Sequence, residues 1–229
     1  MSLTAPVFAA ETTSSTSAVT TLTSYGNFPI TAITFSWPVI TSMFHFCAVL
    51  VWPKMYIDEL ESCRNPMRWL EYGITASLMS VVINFLTGIR SILTIVTLAI
   101  VVASTILCGW SAEQVNAPAS ADAWVEPSRA KRLRSSAFGF LLFTAEWAVT
   151  LVYFLDLYDC RSAPVVAIVA TELPLWLSFG AVQVYQLVSP PKNYIYGEYA
   201  YIALSFTAKA ALALVTLAAG YLETGTDFC

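Results

Sequence analysis

The chain has 229 residues, of which 57% are hydrophobic and only 11% are charged, and its formal net charge is −4. Soluble proteins carry roughly 45–50% apolar and about 25% charged residues, so the composition excludes a soluble enzyme. The negative balance and the absence of a basic field argue against nucleic-acid binding. The alternating pattern of an outer-membrane barrel is also absent, which leaves helices that span a membrane.

Apolar segments of roughly 20 residues, long enough to cross a bilayer as helices, occur six times: 34–52, 69–89, 91–110, 136–155, 164–188 and 199–222. We therefore predict an all-α membrane protein with a helical bundle over residues 34–222 and a polar tail over 223–229. Residues 1–33 open with an apolar stretch too short to cross, followed by a Ser/Thr-rich stretch. We interpret them as the remnant of a truncated first helix and an extracellular loop.

The positive charges indicate how the chain is oriented, because cytoplasmic loops retain an excess of Lys and Arg. Only Arg90 and Arg161 fall on one side of the predicted spans. That side is predicted to be extracellular, so the C-terminus lies outside, and a complete first helix would place the original N-terminus in the cytoplasm. The other side carries Lys54, Arg64, Arg68, Arg129, Lys131, Arg132, Arg134 and Lys192.

Cysteine and histidine give little support to a metal centre. Cys160 and Cys229 are both predicted on the outer face, so a disulfide between them is one option, although the sequence gives no distance. His45 is the only histidine, and no zinc or phosphate-binding motif appears. No metal site is predicted.

Lys209 lies near the middle of the last predicted span, in LSFTAKAALAL. A charged group there costs from about 2.5 to over 10 kcal/mol, so it needs a partner. One interpretation is a structural ion pair; the other is a lysine held in a dry pocket to form a Schiff base with an aldehyde. Glu71 begins another span from the same side, and helical side chains lean toward the N-terminus, which aims Lys209 toward it. Ser205, four residues earlier, shares the face of Lys209.

Three further ionisable residues lie within predicted spans. His45, in FHF, is either a satisfied core residue or a proton acceptor. Glu146 and Glu172 lie close to the bilayer midplane on successive spans. They are either hydrogen-bonded to a neighbouring span or an oligomer partner, or they belong to a proton path.

Several motifs together resemble the heliorhodopsins, which are retinal-binding seven-helix proteins. The resemblance covers nearly all of the chain after residue 30 and implies a seven-helix rhodopsin-like bundle, here with six complete spans. The matching motifs are FHF at 44–46, RNPMRWLEY at 64–72, ILCGW at 106–110, SFGAVQ at 178–183 and GEYAYIALSFTAK at 197–209.

The resemblance implies all-trans-retinal bound to Lys209 as a protonated Schiff base, with Glu71 as counterion. It also implies Ser205 and Ser77 as polar neighbours of the Schiff base and His45 in a polar network. A homodimer in the lipid bilayer is a further implication of the family. The residues expected to line the retinal pocket are Met79, Trp176 and Phe179.

The predicted function is a photoreceptor, not an enzyme, that changes conformation on light absorption and acts on an unidentified signalling partner. Glu146 and Glu172 are not expected of typical family members, so a light-activated proton channel or transporter is the alternative. A retinal-free membrane transporter is a further alternative, and visible absorbance distinguishes it from both.

Overall fold

The computed structural model describes residues 4–12, 20–117, 129–156 and 163–222. A π-helical segment, Cys47–Val51, prolongs the first helix, and a short 3-10 turn, Pro191–Asn193, precedes the last. The elements in chain order are β1 Thr4–Thr12, β2 Thr20–Pro29, α1 Ile30–Phe46, α2 Pro53–Glu61, α3 Pro66–Leu86, α4 Ile92–Asn116, α5 Arg129–Asp156, α6 Ala163–Val188 and α7 Tyr194–Leu222.

Six helices in the described part of the chain are long and apolar enough to cross a membrane, which confirms the predicted number of spans. Their ends differ from the hydropathy boundaries by several residues: α5 begins at Arg129 and α7 at Tyr194. Local capping sets some of these ends. The Asn65 side chain accepts a hydrogen bond from the Arg68 backbone N–H at 3.1 Å and Pro66 occupies the first turn of α3, a favoured start for a helix.

The six spanning helices of the described chain close into a ring, and α3 is the most buried of them. Helix α3 packs on α1 and α4, α5 packs on α4 and α6, and α7 packs on α6 and α1. More than half of α3 is buried, against less than a third of every other described span. We call the end of the bundle that carries α2 the α2 end, and the opposite end, where α1 begins after the two strands, the hairpin end.

The first strand corrects the prediction for the start of the chain. We expected a helical remnant followed by a loop, but Thr4–Thr12 is a strand paired antiparallel with Thr20–Pro29. Thr and Phe occur in both segments, with Val in the first and Tyr in the second, and these residues favour extended backbone. Pairing of the two strands satisfies backbone N–H and C=O groups, which a hydropathy profile does not take into account. The expected polar tail, 223–229, and both Cys160 and Cys229 lie outside the described residues.

The packed interior is concentrated between α3 and its neighbours, while the outer faces remain apolar and exposed. Trp37, Ile83 and Phe85 are at most 1% exposed, whereas Leu93 and Phe206 are more than 70% exposed. Large apolar side chains on the outside are costly in water and favourable against lipid. The surface therefore agrees with the hydropathy of the spans.

Gly109 permits the close approach of α4 to α3. An added Cβ at Gly109 would lie 2.6 Å from Cζ3 of Trp69, whereas one at Gly73 would have no atom nearer than 4.0 Å. We expect Gly109→Ala to destabilise the bundle by about 1–3 kcal/mol through overpacking, and Gly73→Ala to leave its stability nearly unchanged. Thermal unfolding in detergent micelles, followed by circular dichroism, measures both; equal midpoints would contradict the close contact.

Candidate functional site

Lys209 and Glu71 meet inside the bundle, where α7 faces α3. Both side chains are buried, and the Lys209 Nζ donates a hydrogen bond to the Glu71 Oε1 and a second one to the Ser205 Oγ at 2.9 Å. Glu198 of α7 pairs with Arg68 of α3, and Lys209 follows Glu198 by eleven residues whereas Glu71 follows Arg68 by three, so the long lysine side chain extends back toward the α2 end to reach the carboxylate. The ion pair joins two charges that would each be costly alone in an apolar interior.

Two threonines also hold the Glu71 carboxylate, and sequence reasoning missed both. Thr41 of α1 donates a hydrogen bond to the Glu71 Oε1 at 2.6 Å, and Thr75 approaches the same oxygen at 3.4 Å. Thr75 follows Glu71 by one helical turn, so its spacing carried a usable signal. Thr41 lies on a different helix, and only the packing of α1 on α3 brings it there.

A cavity opens from Lys209 into the bundle. Together with the open space at its mouth it measures about 970 Å³. Aromatic rings dominate its wall: the Phe179 ring centroid lies 5.6 Å from that of Tyr72 and 6.0 Å from that of Tyr201. The other aromatic residues of the wall are Trp69, Phe140, Phe143 and Trp176.

Two glycines border this cavity where helices come close. A Cβ at Gly180 of α6 would lie 2.7 Å from the Phe140 ring, and one at Gly139 of α5 would lie 3.2 Å from the Cys108 Cβ. Larger residues at either position would push the ring or the helix into the cavity space. The small residues therefore keep the space open.

The structure brings most of the predicted pocket residues together, with one exception. Met79, Trp176 and Phe179 line the cavity together with Lys209. Ser77, in contrast, donates its hydroxyl to the backbone oxygens of Gly73 and Ala99 at 2.7 and 3.2 Å and does not line the cavity. The structure does not place Ser77 beside the lysine, because its position on α3 faces α4.

His45 lies one turn beyond Thr41 on α1. Its Nδ1 is 2.8 Å from the Thr41 backbone oxygen, and its side chain is exposed on the described surface. His45 makes no hydrogen bond to Glu71 in the described part of the chain. The two residues are linked only through the shared neighbour Thr41.

Glu146 is at the centre of a buried polar cluster that joins α5 to α3. Its Oε1 accepts hydrogen bonds from the Ser80 hydroxyl at 3.0 Å and the Asn84 amide at 3.3 Å. The Thr150 hydroxyl donates to the Asn84 Oδ1 at 2.6 Å, and all four side chains are at most 2% exposed. Glu146 also lines the cavity.

Glu172 of α6 is fully buried but does not line the cavity. Its Oε2 accepts a hydrogen bond from the Trp176 indole N–H at 3.2 Å, and the Trp176 ring lies edge-on to the Trp147 ring at 5.8 Å. Within the described residues no hydrogen bond joins Glu172 to Glu146 or to Glu71. The predicted midplane carboxylates are therefore both buried, but they are not directly connected.

A second buried ion cluster closes the α2 end of the bundle, and the sequence did not predict it. The Arg68 guanidinium pairs with both Glu113 of α4 and Glu198 of α7. It stacks on the Tyr201 ring at 4.0 Å and the Trp69 ring at 4.6 Å. Arg68 is therefore paired with these two carboxylates and does not neutralise Glu71.

The fold and the site together define a multi-pass helical membrane protein with a buried lysine, its carboxylate partner and an aromatic cavity, which is the arrangement of a retinal-binding rhodopsin. The chain belongs to the heliorhodopsin family, whose family model matches residues 2–220. This family is one of photoreceptor-type membrane proteins. Comparison with curated proteins gives no significant match.

Proposed function

We propose that the chain binds all-trans-retinal on Lys209 as a protonated Schiff base and acts as a sensory or regulatory photoreceptor. The observation that carries the proposal is a primary amine, buried beside a carboxylate, at the wall of an aromatic cavity. A lysine in a dry pocket is suited to form a Schiff base with an aldehyde. Bound retinal supplies absorption of visible light and a light-driven isomerisation of its polyene.

The residues present fit a long conjugated aldehyde. Rings of Tyr72, Phe179 and Tyr201 pack against one another beside the lysine and offer flat apolar surfaces, while Gly139 and Gly180 leave space where a Cβ would intrude. These features favour an elongated, largely apolar ligand over a polar solute.

Glu71 is proposed as the counterion of the positively charged nitrogen on Lys209. Hydrogen bonds from Thr41 and Thr75 fix the carboxylate on the side of α3 that faces α7, and Ser205 offers a hydroxyl to the same nitrogen. A proton released from that nitrogen has Glu71 as its nearest acceptor, with His45 next to Thr41 as a further one. Neutralising the pair would weaken the connection between α7, α3 and α1, which gives light absorption a conformational consequence.

The orientation and assembly are part of the same proposal. Lys54, Arg64 and Lys192 lie at the α2 end, so this end is proposed to face the cytoplasm. The end of α7 and the strand pair then lie outside. A homodimer and an unidentified signalling partner are proposed from the family, and the exposed apolar faces of the outer helices offer surface for either.

Light-driven proton conduction is the second candidate function. It is favoured by Glu146 and Glu172, two carboxylates buried inside spans where ionisable groups usually mark ion or proton pathways. Glu146 borders the proposed retinal cavity, so a change of the ligand's shape there acts directly on its surroundings.

The test of the main proposal is Lys209→Ala. We expect it to abolish the visible pigment formed with added all-trans-retinal, because Lys209 is the only lysine among the described residues that line the cavity. Lys192→Ala, at the α2 end, is the matched control and should keep the pigment. Absorbance spectra of membranes before and after retinal addition measure both. A covalent visible chromophore in Lys209→Ala would refute the assignment. A wild type that takes up no retinal would favour the retinal-free transporter.

Glu71→Gln tests the counterion. Loss of one opposite charge within about 4–6 Å destabilises a positively charged group by roughly one to three pH units. The protonated Schiff base on Lys209 should therefore lose its proton, and the visible pigment convert to its near-ultraviolet form, at lower pH than in the wild type. Glu172→Gln, which removes a buried carboxylate without contact to Lys209, should titrate like the wild type. An unchanged titration of Glu71→Gln would assign the counterion to another carboxylate. Glu146, which lines the cavity, would be the first candidate.

Photocurrents separate the two candidate functions. If Glu146 or Glu172 carries protons, light should evoke a current whose reversal voltage follows the proton gradient, and Glu146→Gln or Glu172→Gln should reduce it while the pigment still forms. The measurement is whole-cell recording at several voltages and pH gradients, with pigment at the cell surface confirmed by its absorbance. Wild-type pigment without any light-dependent current would exclude conduction and leave the sensory function.

A further inference from the structure

Among the described residues that line the cavity, Lys209 is the only lysine and Glu146 is the only carboxylic acid. The Glu146 Oε1 is held by Ser80 and Asn84, whereas its Oε2 is buried and has no hydrogen-bond partner in the described part of the chain. One oxygen of a buried carboxyl group therefore remains unsatisfied.

Helix α3 shows that Glu146 and the site of attachment lie at different levels of the bundle. Glu71 of α3 pairs with Lys209, and Ser80, nine residues further along the same helix, donates to Glu146. Nine residues correspond to about 13.5 Å along a helix axis. Glu146 is on α5, which packs on α4 and α6, whereas α7 packs on α6 and α1, so Glu146 and Lys209 belong to different walls of the cavity.

A ligand attached to Lys209 that extends past the aromatic wall therefore brings its far end toward Glu146. Phe143 and Phe140 lie on α5 about one and two turns before Glu146 and line the same cavity. They would contact the ring that ends a retinal molecule. The polar group next to that ring is then the Glu146 carboxyl.

The chemistry of the cavity beside Glu146 determines which ligand fits best. A purely hydrocarbon ring would leave the Glu146 Oε2 unpaired, and an unsatisfied buried polar atom costs about 1–3 kcal/mol. A hydroxyl group can donate to a carboxylate and can also accept from a carboxylic acid, so it satisfies Glu146 in either protonation state. Sites built to hydrogen-bond a ligand hydroxyl discriminate strongly against the analogue that lacks it.

We propose that Glu146 is a specificity-determining residue that selects retinals carrying a hydroxyl group on the ring. This inference rests on the proposed retinal site at Lys209. It assigns to the far end of that site a ligand class, ring-hydroxylated retinal, and a hydrogen bond from the ring hydroxyl to Glu146.

A purely structural role for Glu146 predicts a different result. Its bonds to Ser80 and Asn84 tie α5 to α3 whatever occupies the cavity, so loss of the carboxyl would lower stability equally with every ligand. Only a ligand contact changes the preference between two retinals. The test therefore measures a ratio of bound ligands.

The experiment supplies retinal-free membranes containing the full chain with equal amounts of all-trans-retinal and all-trans-3-hydroxyretinal, and in a parallel sample with all-trans-4-hydroxyretinal. After binding, free ligand is washed away and the bound retinals are extracted and quantified by chromatography. We expect the wild type to enrich at least one hydroxylated form about tenfold. Equal binding of all three overturns the proposal even without a variant, while pigment formation with all-trans-retinal still supports the retinal site.

Glu146→Met tests the residue itself, since methionine keeps the length of the side chain and removes the carboxyl. We expect the enrichment to fall to about one while all-trans-retinal still forms pigment. Glu59→Met, at a carboxyl that pairs with Arg64 and does not line the cavity, should retain the wild-type ratio. Enrichment that persists in Glu146→Met overturns the role of Glu146, and a wild type that binds none of the three retinals overturns this proposal and the proposed function together.

Discussion

The pairing of Lys209 with Glu71 is the constraint on which the rest of this bundle depends. An ammonium and a carboxylate surrounded by apolar helices must each find a partner, and the two lie on α7 and α3. Their meeting fixes the depth of one helix against the other. It also requires α1 to come close enough for Thr41 to reach the carboxylate, so three helices are positioned around one ion pair.

Two further polar clusters, one on either side of the ion pair along α3, fix the positions of the neighbouring helices. Toward the α2 end, Arg68 binds Glu113 and Glu198 and links α3, α4 and α7. Farther along α3, Glu146 with Ser80 and Asn84 links α5 to α3. Polar bonds inside a membrane bundle add directional contacts that apolar packing against lipid cannot provide. The aromatic cavity is therefore enclosed by helices whose relative positions are set at several depths.

The sensory and conducting functions differ in how these clusters are connected. The hydrogen bonds around Lys209 lead through Glu71 and Thr41 toward His45 and α1, whereas Glu146 and Glu172 are bonded to their own neighbours. Protons can pass between separate groups only when water or side-chain movement bridges them. A change confined to the Lys209 region affects helix contacts first, which agrees with a sensory role. Conduction requires a rearrangement that joins the clusters.

The sequence by itself determined the six spans, the buried lysine and its carboxylate, because hydropathy and charge are local properties and an ionisable residue within an apolar segment is conspicuous. It misjudged residues 4–12, where pairing with β2 decided the backbone, and it placed Ser77 beside the lysine although its face turns toward α4. Only the tertiary structure decided that Arg68 pairs with Glu113 and Glu198, that Thr41 reaches Glu71, and that Glu146 borders the cavity. Each of these contacts joins residues from different helices, and their rotation and depth follow from packing, which no local pattern records.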